Sequence, residues 1–72
     1  MQNKYTLKRG EAVKAIKEAR KAYGLTIREL AELSFVGYHY LYMIENNGTI
    51  PSFDIIQRLF DGICQAEALN CG

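Results

Sequence analysis

The sequence predicts an all-α protein, a compact bundle of four or five helices. Apolar residues recur at intervals of three and four along most of the chain, and no segment shows the strict alternation of a half-buried strand. Gly24, Gly37, Gly48 and Pro51 divide the chain into segments of helical length. With 72 residues, 49% hydrophobic and 24% charged, the chain has the size and composition of one small globular domain.

The first predicted helix runs from about Lys8 to Tyr23. Its apolar residues share one face of a 3.6-residue helix, and lysines and glutamates fill the other face. The residues on the apolar face are Ala12, Val13, Ile16, Ala19 and Tyr23. Gly24 follows at the position where a left-handed residue commonly ends a helix. We expect residues 1–7 to form a basic N-terminal tail and residues 8–70 to form the folded domain.

The second helix is predicted to begin after Thr26. Thr26 and Glu29 have the spacing of a capping box, in which each side chain accepts a hydrogen bond from the backbone amide of the other residue. A short apolar face follows, made of Leu30, Ala31 and Leu33. We expect this helix to end near Leu33 or Ser34.

The third helix is predicted to follow Gly37 and to end at the turn over residues 46–48, where two asparagines precede a glycine. Its core-facing side is predicted to contain Tyr40, Leu41 and Ile44, together with Val36 just before the helix.

The fourth helix is predicted to begin at Ser52, a favourable N-cap directly after Pro51. A broad apolar stripe follows, made of Ile55, Ile56, Leu59, Phe60 and Ile63. A separate short helix is predicted over residues 65–69. Together these patterns predict a core of Val13, Ile16, Leu30, Val36, Leu41, Ile44, Ile55, Leu59 and Ile63.

The net charge of +1 conceals a strong asymmetry. Residues 1–28 carry eight lysines and arginines against two glutamates, whereas residues 29–72 carry one arginine against six acidic residues. One end of the molecule can therefore face phosphate and the other cannot. A solvated amphipathic helix rich in lysine is the alternative explanation of the basic half.

Several classes of function are disfavoured. No apolar run reaches the about 20 residues of a membrane-spanning helix. His39 is the only histidine, no carboxylate or thiol is spaced to orient it, and no glycine-rich phosphate loop is present, so neither an enzyme nor a cofactor is predicted. Cys64 and Cys71 lack nearby partners for a metal site, and Cys64 is interpreted as a small buried hydrophobe.

The connection between the second and third helices is only a few residues long, which leaves the third helix protruding, as in a helix that enters the major groove. Around it the chain resembles the phage repressor and Cro type of helix-turn-helix, the xenobiotic-response-element family of bacterial regulators. The resemblance covers roughly residues 12–64 and implies a lambda-repressor-like DNA-binding domain with the helix-turn-helix at helices two and three. It is carried by Gly24-Leu25-Thr26, Glu29-Leu30-Ala31-Glu32, Ser34, Val36, Tyr40-Leu41, Ile44-Glu45-Asn46 and Pro51-Ser52 with the run to Leu59.

The resemblance also implies roles for individual positions. Arg20 and Glu45 match a family ion pair that ties the first helix to the end of the recognition helix, with two solvated charges as the alternative. The amino end of the second helix matches a phosphate contact, and the third helix and the loop after it match contacts to bases and phosphates. With Lys17 added from the basic first helix, the expected DNA-binding residues are Lys17, Thr26, Ile27, Arg28, Gly37, Tyr38, His39, Tyr42, Met43, Asn46, Asn47 and Thr49.

Three residues depart from the family pattern. Ile27 stands where many members carry a glutamine that holds phosphate, and Gly37 replaces a serine or threonine cap. Phe35 stands where the turn usually has glycine, so a positive φ would be costly and a rebuilt turn would avoid that cost. Residues 29–57 contain no lysine or arginine, so weak DNA binding with a shallow salt dependence is expected.

Two functions follow from these observations. The first is a cytoplasmic, bacterial or phage transcriptional regulator that inserts the helix near residues 37–45 into the major groove of double-stranded DNA, as a homodimer on a palindromic site. The alternative is a protein-interaction module on the same fold, whose partner is another regulator or a second copy. Its surface would consist of Phe35, Tyr38, Tyr42 and Met43. A homodimer is expected to use Phe60, Ile63 and Leu69.

Overall fold

A computed structural model describes the backbone of residues 4–71 and the side chains of residues 8–69. It contains four helices: α1 (Lys4–Ala22), α2 (Ile27–Ser34), α3 (Tyr38–Asn46) and α4 (Phe53–Cys71). Both α3 and α4 pack against α1 and α2. No strand occurs within residues 4–71, and the prediction of an all-α fold is confirmed. Within the same range no helix combines the length and the hydropathy needed to cross a membrane.

The core lies where the four helices meet. Its buried cluster consists of Ile16, Leu30, Ala31, Val36, Leu41, Ile44, Ile56, Leu59 and Ile63. Val13 and Ile55 were predicted to be buried but lie half-buried at the edge of the cluster. On α4 the buried residue is Ile56 rather than Ile55, because the spacing of three and four residues to Leu59 and Ile63 starts from Ile56.

Two further expectations about side-chain burial are wrong. Tyr40 is exposed, because the inward face of α3 is made by Leu41 and Ile44 and Tyr40 lies beside that face. Cys64 is exposed for the same reason, since it follows the buried Ile63 by one residue. Ile63 itself is buried in the monomer, so it is not available on the surface for the expected homodimer contact.

The helix bounds differ from the prediction at two places. Helix α1 begins at Lys4, four residues before the predicted start. Helix α4 continues unbroken to Cys71, so residues 65–69 belong to it and the described chain has four helices rather than five. Helix α4 continues because it stays packed on α2 beyond Gly62. The two helices are close at this residue, since an added Cβ at Gly62 would lie 3.0 Å from the Cβ of Ser34. Ala66, one turn later, is buried as well.

The turn between α2 and α3 keeps the backbone that glycine favours, although Phe35 occupies it. Phe35 has φ 57° and ψ 39°, and no other non-glycine residue among those described has a positive φ. The backbone N–H of Val36 donates to the carbonyl oxygen of Ala31 at 3.0 Å, which closes the end of α2. The turn is therefore not rebuilt, and the Phe35 side chain is left 84% exposed.

Candidate nucleic-acid interface

The amino end of α2 is fixed by a capping box. The Thr26 hydroxyl accepts from the backbone N–H of Glu29 at 3.0 Å, and the Glu29 carboxylate accepts from the backbone N–H of Thr26 at 2.8 Å. These two hydrogen bonds satisfy two backbone N–H groups that have no acceptor within the helix, and they hold the first turn in place. The amides of Ile27 and Arg28 begin the helix beside this cap, at the positive end of its dipole.

A concavity of about 550 Å³ opens in front of this helix end. We call it the arginine pocket, and its lining residues are Arg20, Thr26, Ile27, Arg28 and Tyr38. The guanidinium carbon of Arg28 lies 4.9 Å from the centroid of the Tyr38 ring, a cation–π contact that links α2 to the first turn of α3. The exposed Arg28 guanidinium and a helix amino end thus border one concave surface, an arrangement suited to an anion.

Arg20 and Glu45 form a bidentate ion pair between α1 and α3. Arg20 Nε donates to Glu45 Oε2 at 2.9 Å, and Arg20 Nη2 donates to Glu45 Oε1 at 2.8 Å. Arg20 Nη1 also donates to the carbonyl oxygen of Leu25 at 2.7 Å, so the same side chain holds the loop that leads into α2. The Glu45 side chain is only 1% exposed and that of Arg20 11%, so these are not two solvated charges.

Lys17 brings a second cation of α1 to the carboxyl end of α3. Its Nζ donates to the backbone carbonyl oxygen of Glu45 at 3.4 Å. A cation is favourable at this end of a helix because the last carbonyl groups carry partial negative charge. Lys17 thereby lies next to the end of α3, with its side chain half-exposed.

The outward face of α3 is aromatic and uncharged. Tyr38, His39 and Tyr42 are exposed, Met43 is half-buried, and Leu41 and Ile44 face the core. The rings of Tyr38 and Tyr42 lie 6.5 Å apart between centroids and are tilted by 40°. Gly37 is the N-cap of α3 and supplies no side-chain hydrogen bond to it, in agreement with the missing serine or threonine.

The end of α3 and the loop after it are held by local hydrogen bonds. The Asn46 side-chain amide donates to the carbonyl oxygen of Tyr42 at 3.1 Å, and the backbone N–H of Asn47 donates to that of Met43 at 2.9 Å. The backbone N–H of Thr49 donates to the same Met43 oxygen at 3.4 Å. Asn46 and Asn47 are exposed and Thr49 is half-buried, so both asparagines can reach a partner beyond the end of α3.

The structure therefore gathers some of the predicted residues into one site and leaves others apart. Thr26, Ile27, Arg28 and Tyr38 line the arginine pocket together. Lys17 and the asparagines lie around the carboxyl end of α3. Phe35 lines a different opening, beside α4, so the aromatic surface of the alternative hypothesis is not one cluster around a single opening.

Sequence reasoning missed two features of α1. Arg20 was assigned only to the ion pair, whereas it also lines the arginine pocket. Arg9 was not singled out, yet its Nη1 donates to the carbonyl oxygen of Pro51 at 3.3 Å and its guanidinium lies 5.4 Å from the Phe53 ring centroid. Arg9 and Arg20 lie eleven residues, or about three turns, apart on the same side of α1, but the contacts of each depend on how the other helices pack and carry no signal in the sequence.

A family model described as helix-turn-helix matches residues 16–62, about two thirds of the chain. That range includes α2, α3, the ion pair and every residue expected to contact DNA. No curated protein and no solved structure matches the chain.

Proposed function

This chain belongs to the repressor and Cro type of helix-turn-helix family, a family of DNA-binding regulatory domains and not of enzymes, and from that premise we propose that α3 enters the major groove of double-stranded DNA. The observation that carries the proposal is the arginine pocket. It presents the exposed Arg28 guanidinium and the amino end of α2 next to the exposed face of α3, while the Arg20 guanidinium at its edge is engaged with Glu45 and Leu25.

In this proposal the arginine pocket holds a backbone phosphate. The capping box keeps the first turn of α2 rigid, and Arg28 is oriented by its contact with Tyr38. Helix amides and an arginine together suit a phosphate, because the charge and the hydrogen-bond donors converge on the same point. Ile27 cannot make the polar contact that a glutamine would make there, so Arg28 carries more of this phosphate contact.

Base reading in this proposal relies on neutral side chains. His39 can donate to an acceptor on a guanine edge, and Met43 can contact the methyl group of a thymine. The hydroxyls of Tyr38 and Tyr42 can donate to phosphate oxygens. All four side chains lie on the outward side of α3, the helix that protrudes in this fold.

The cations that accompany these contacts come from outside α3. Arg28 contacts the first turn of α3 and Lys17 its carboxyl end, and no lysine or arginine occurs over residues 29–57. Because non-specific affinity comes mainly from neutralised phosphates, few contacts predict a modest affinity and a shallow dependence on salt. Contacts to bases then contribute a larger share of the total binding free energy.

The first prediction compares two arginine variants in DNA binding. Arg28→Ala removes the exposed cation of the arginine pocket, and Arg58→Ala removes an equal charge from the outer side of α4. We expect Arg28→Ala to weaken binding to a labelled duplex about fivefold and to lower the salt slope by about one, since one phosphate contact is lost. Fluorescence anisotropy over a series of salt concentrations measures both quantities.

Arg58→Ala is expected to leave affinity and slope close to those of the unmodified chain, because it changes the net charge at a residue outside the arginine pocket and outside α3. Equal losses in the two variants would contradict the proposed phosphate site and would indicate attraction by net charge alone.

A further inference from the structure

A groove of about 310 Å³ lies between α2 and the carboxyl-terminal part of α4. We call it the acidic groove, and its lining residues are Leu25, Glu29, Glu32, Leu33, Ala66 and Leu69. Four of these residues are apolar, two carry carboxylates and none is a cation. The groove can admit a leucine or phenylalanine side chain, because a cavity of about 150 Å³ is enough to hold benzene.

The apolar part of the acidic groove is open to water. Leu69 is 74% exposed, and Leu25 and Leu33 on the same groove are only half-buried. Ala66 is buried and forms part of the floor. Exposed apolar surface that is concave and bordered by charged groups is typical of a site of contact with another molecule.

The two carboxylates of the groove both belong to α2. Glu29 and Glu32 are exposed and lie three residues apart, a spacing at which like charges destabilise a helix. Glu32 also lies in the last turn of α2, where the free carbonyl groups already carry partial negative charge. Within the part of the chain whose side chains are described, neither carboxylate forms an ion pair. A cation at the groove would therefore relieve an unfavourable concentration of negative charge.

These charges distinguish between the possible occupants. DNA is excluded because it is an anion, and a second copy related by a two-fold axis would bring the same two carboxylates toward each other. A small organic cation with a single charge would neutralise only one of them. A helix with two lysines or arginines three or four residues apart holds their Cβ atoms about 5–6 Å apart, which is also the spacing of Glu29 and Glu32 along α2.

We propose that the acidic groove binds a basic amphipathic helix of another protein. An apolar side chain of that helix enters the groove between Leu33 and Leu69, and two of its cations, one turn apart, face Glu29 and Glu32. Opposite charges set the orientation of the helix, and the apolar contact supplies most of its affinity.

This contact is separate from the proposed contact with DNA. The acidic groove and the arginine pocket share no lining residue. A partner helix in the groove therefore leaves Arg28 and Tyr38 free, and the proposal can be tested without DNA.

The probe is a fluorescently labelled peptide of about 15 leucines and lysines, with its leucines along one face of a helix. Its counterpart has glutamate in place of every lysine. For the whole chain, fluorescence anisotropy is expected to give a dissociation constant of about 10–100 μM with the lysine peptide. The glutamate peptide is expected to bind at least about tenfold more weakly, since it has the same apolar face and the opposite charge.

The first pair of variants tests the carboxylates. Glu29→Gln combined with Glu32→Gln removes two negative charges from the groove, and glutamine can replace glutamate in the capping box, so the first turn of α2 is kept. This variant is expected to bind the lysine peptide at least about tenfold more weakly. Asp54→Asn combined with Asp61→Asn removes two exposed charges from α4 outside the groove and is expected to change the affinity less than about twofold.

The second pair of variants tests the apolar contact. Leu69→Ala shortens a side chain that is 74% exposed, so the fold is expected to be retained while the lysine peptide binds at least about threefold more weakly. Phe60→Ala removes an exposed phenylalanine of α4 outside the groove and is expected to leave the affinity unchanged.

Four results overturn the proposal. The lysine peptide fails to bind at about 1 mM chain, or the glutamate peptide binds as tightly. The two pairs of charge variants lose affinity equally, which would indicate attraction by net charge alone. The unmodified chain self-associates and this association is displaced by the peptide, which would make a second copy the occupant. None of these results bears on DNA binding through Arg28, because the two surfaces are separate.

Discussion

At the scale of single residues, Gly62 lies where α4 packs closely against α2. An added Cβ there would lie 3.0 Å from the Cβ of Ser34 and 3.2 Å from its backbone nitrogen. Ser34 is buried, and its hydroxyl donates to the carbonyl oxygen of Leu30, so neither atom can swing away. The helices can therefore pack this tightly only with a glycine at this position.

Gly62→Ala is expected to destabilise the domain although alanine is the better helix former. The gain in helix propensity is about 1 kcal/mol, and overpacking costs about 1–3 kcal/mol, so a net loss of about 1 kcal/mol in the free energy of unfolding is predicted. Gly10→Ala is the matched control, because a Cβ at Gly10 in α1 would meet only Ile50 Cδ1, at 3.9 Å.

Urea denaturation monitored by circular dichroism measures both variants. Gly10→Ala should raise the free energy of unfolding by up to about 1 kcal/mol, since it gains propensity without a clash. If Gly62→Ala were stabilised as much as Gly10→Ala, the close approach of α4 to α2 would be wrong.

Phe35 and Gly62 differ in what the sequence could say about them. The position of the turn predicts that a positive φ at Phe35 is energetically unfavourable. It does not predict whether the backbone adopts a positive φ there or a different turn. The hydrogen bonds that close α2 decide it, because they require the left-handed conformation whatever the side chain. Nothing near Gly62 in the sequence indicates its role, since the contact lies with a residue of another helix.

At the scale of elements, the Arg20–Glu45 pair holds α3 against α1. The Glu45 carboxylate is 1% exposed, so removal of Arg20 would leave a buried charge without its cation. The penalty for such a broken pair is about 3–5 kcal/mol, far above the value of an exposed pair.

Arg20→Ala is therefore expected to lower the free energy of unfolding by about 3–5 kcal/mol, enough to unfold a domain of this size in part. Arg58→Ala removes a half-exposed arginine from an i,i+4 pair and should cost less than about 0.5 kcal/mol. The loss of stability in Arg20→Lys should lie between the losses in these two variants, because lysine keeps the charge but cannot form the two parallel hydrogen bonds. Thermal denaturation of the three variants gives the order, and equal midpoints for Arg20→Ala and Arg58→Ala would contradict the buried pair.

The elements differ in how far the sequence predicted them. Helix α2 was predicted closely, because the signals at both of its ends are local: the capping box at Thr26 and the short connection after Ser34. Helix α4 was predicted with the wrong end and with Ile55 in place of Ile56 in the core. Its apolar stripe is broad, so the buried residues are selected by packing against α1 and α2 rather than by the stripe itself.

The candidate site was likewise predictable in part. The resemblance to a family with known contacts supplied the positions on α2 and α3, and the charge count supplied the basic α1. The stacking of Arg28 on Tyr38 and the second role of Arg20 required the coordinates, since both depend on the angle between helices.

At the scale of the whole molecule, the structure shows where the charges of the basic and acidic halves of the sequence lie. The basic first helix contributes Lys17 and Arg20 to the surroundings of α3, and the acidic half includes all of α4. In the proposed function DNA is therefore attracted to the side of α1, α2 and α3 rather than to the outer side of α4.

The central claim, that α2 and α3 form the DNA contact, is tested most directly by an NMR titration of the chain with a short random-sequence duplex at low and at moderate salt. We expect shifts of the backbone amides over residues 26–28 and 37–47 at low salt, and a decrease of these shifts as salt is added. No shift in these residues at low salt, where non-specific binding is strongest, would contradict it.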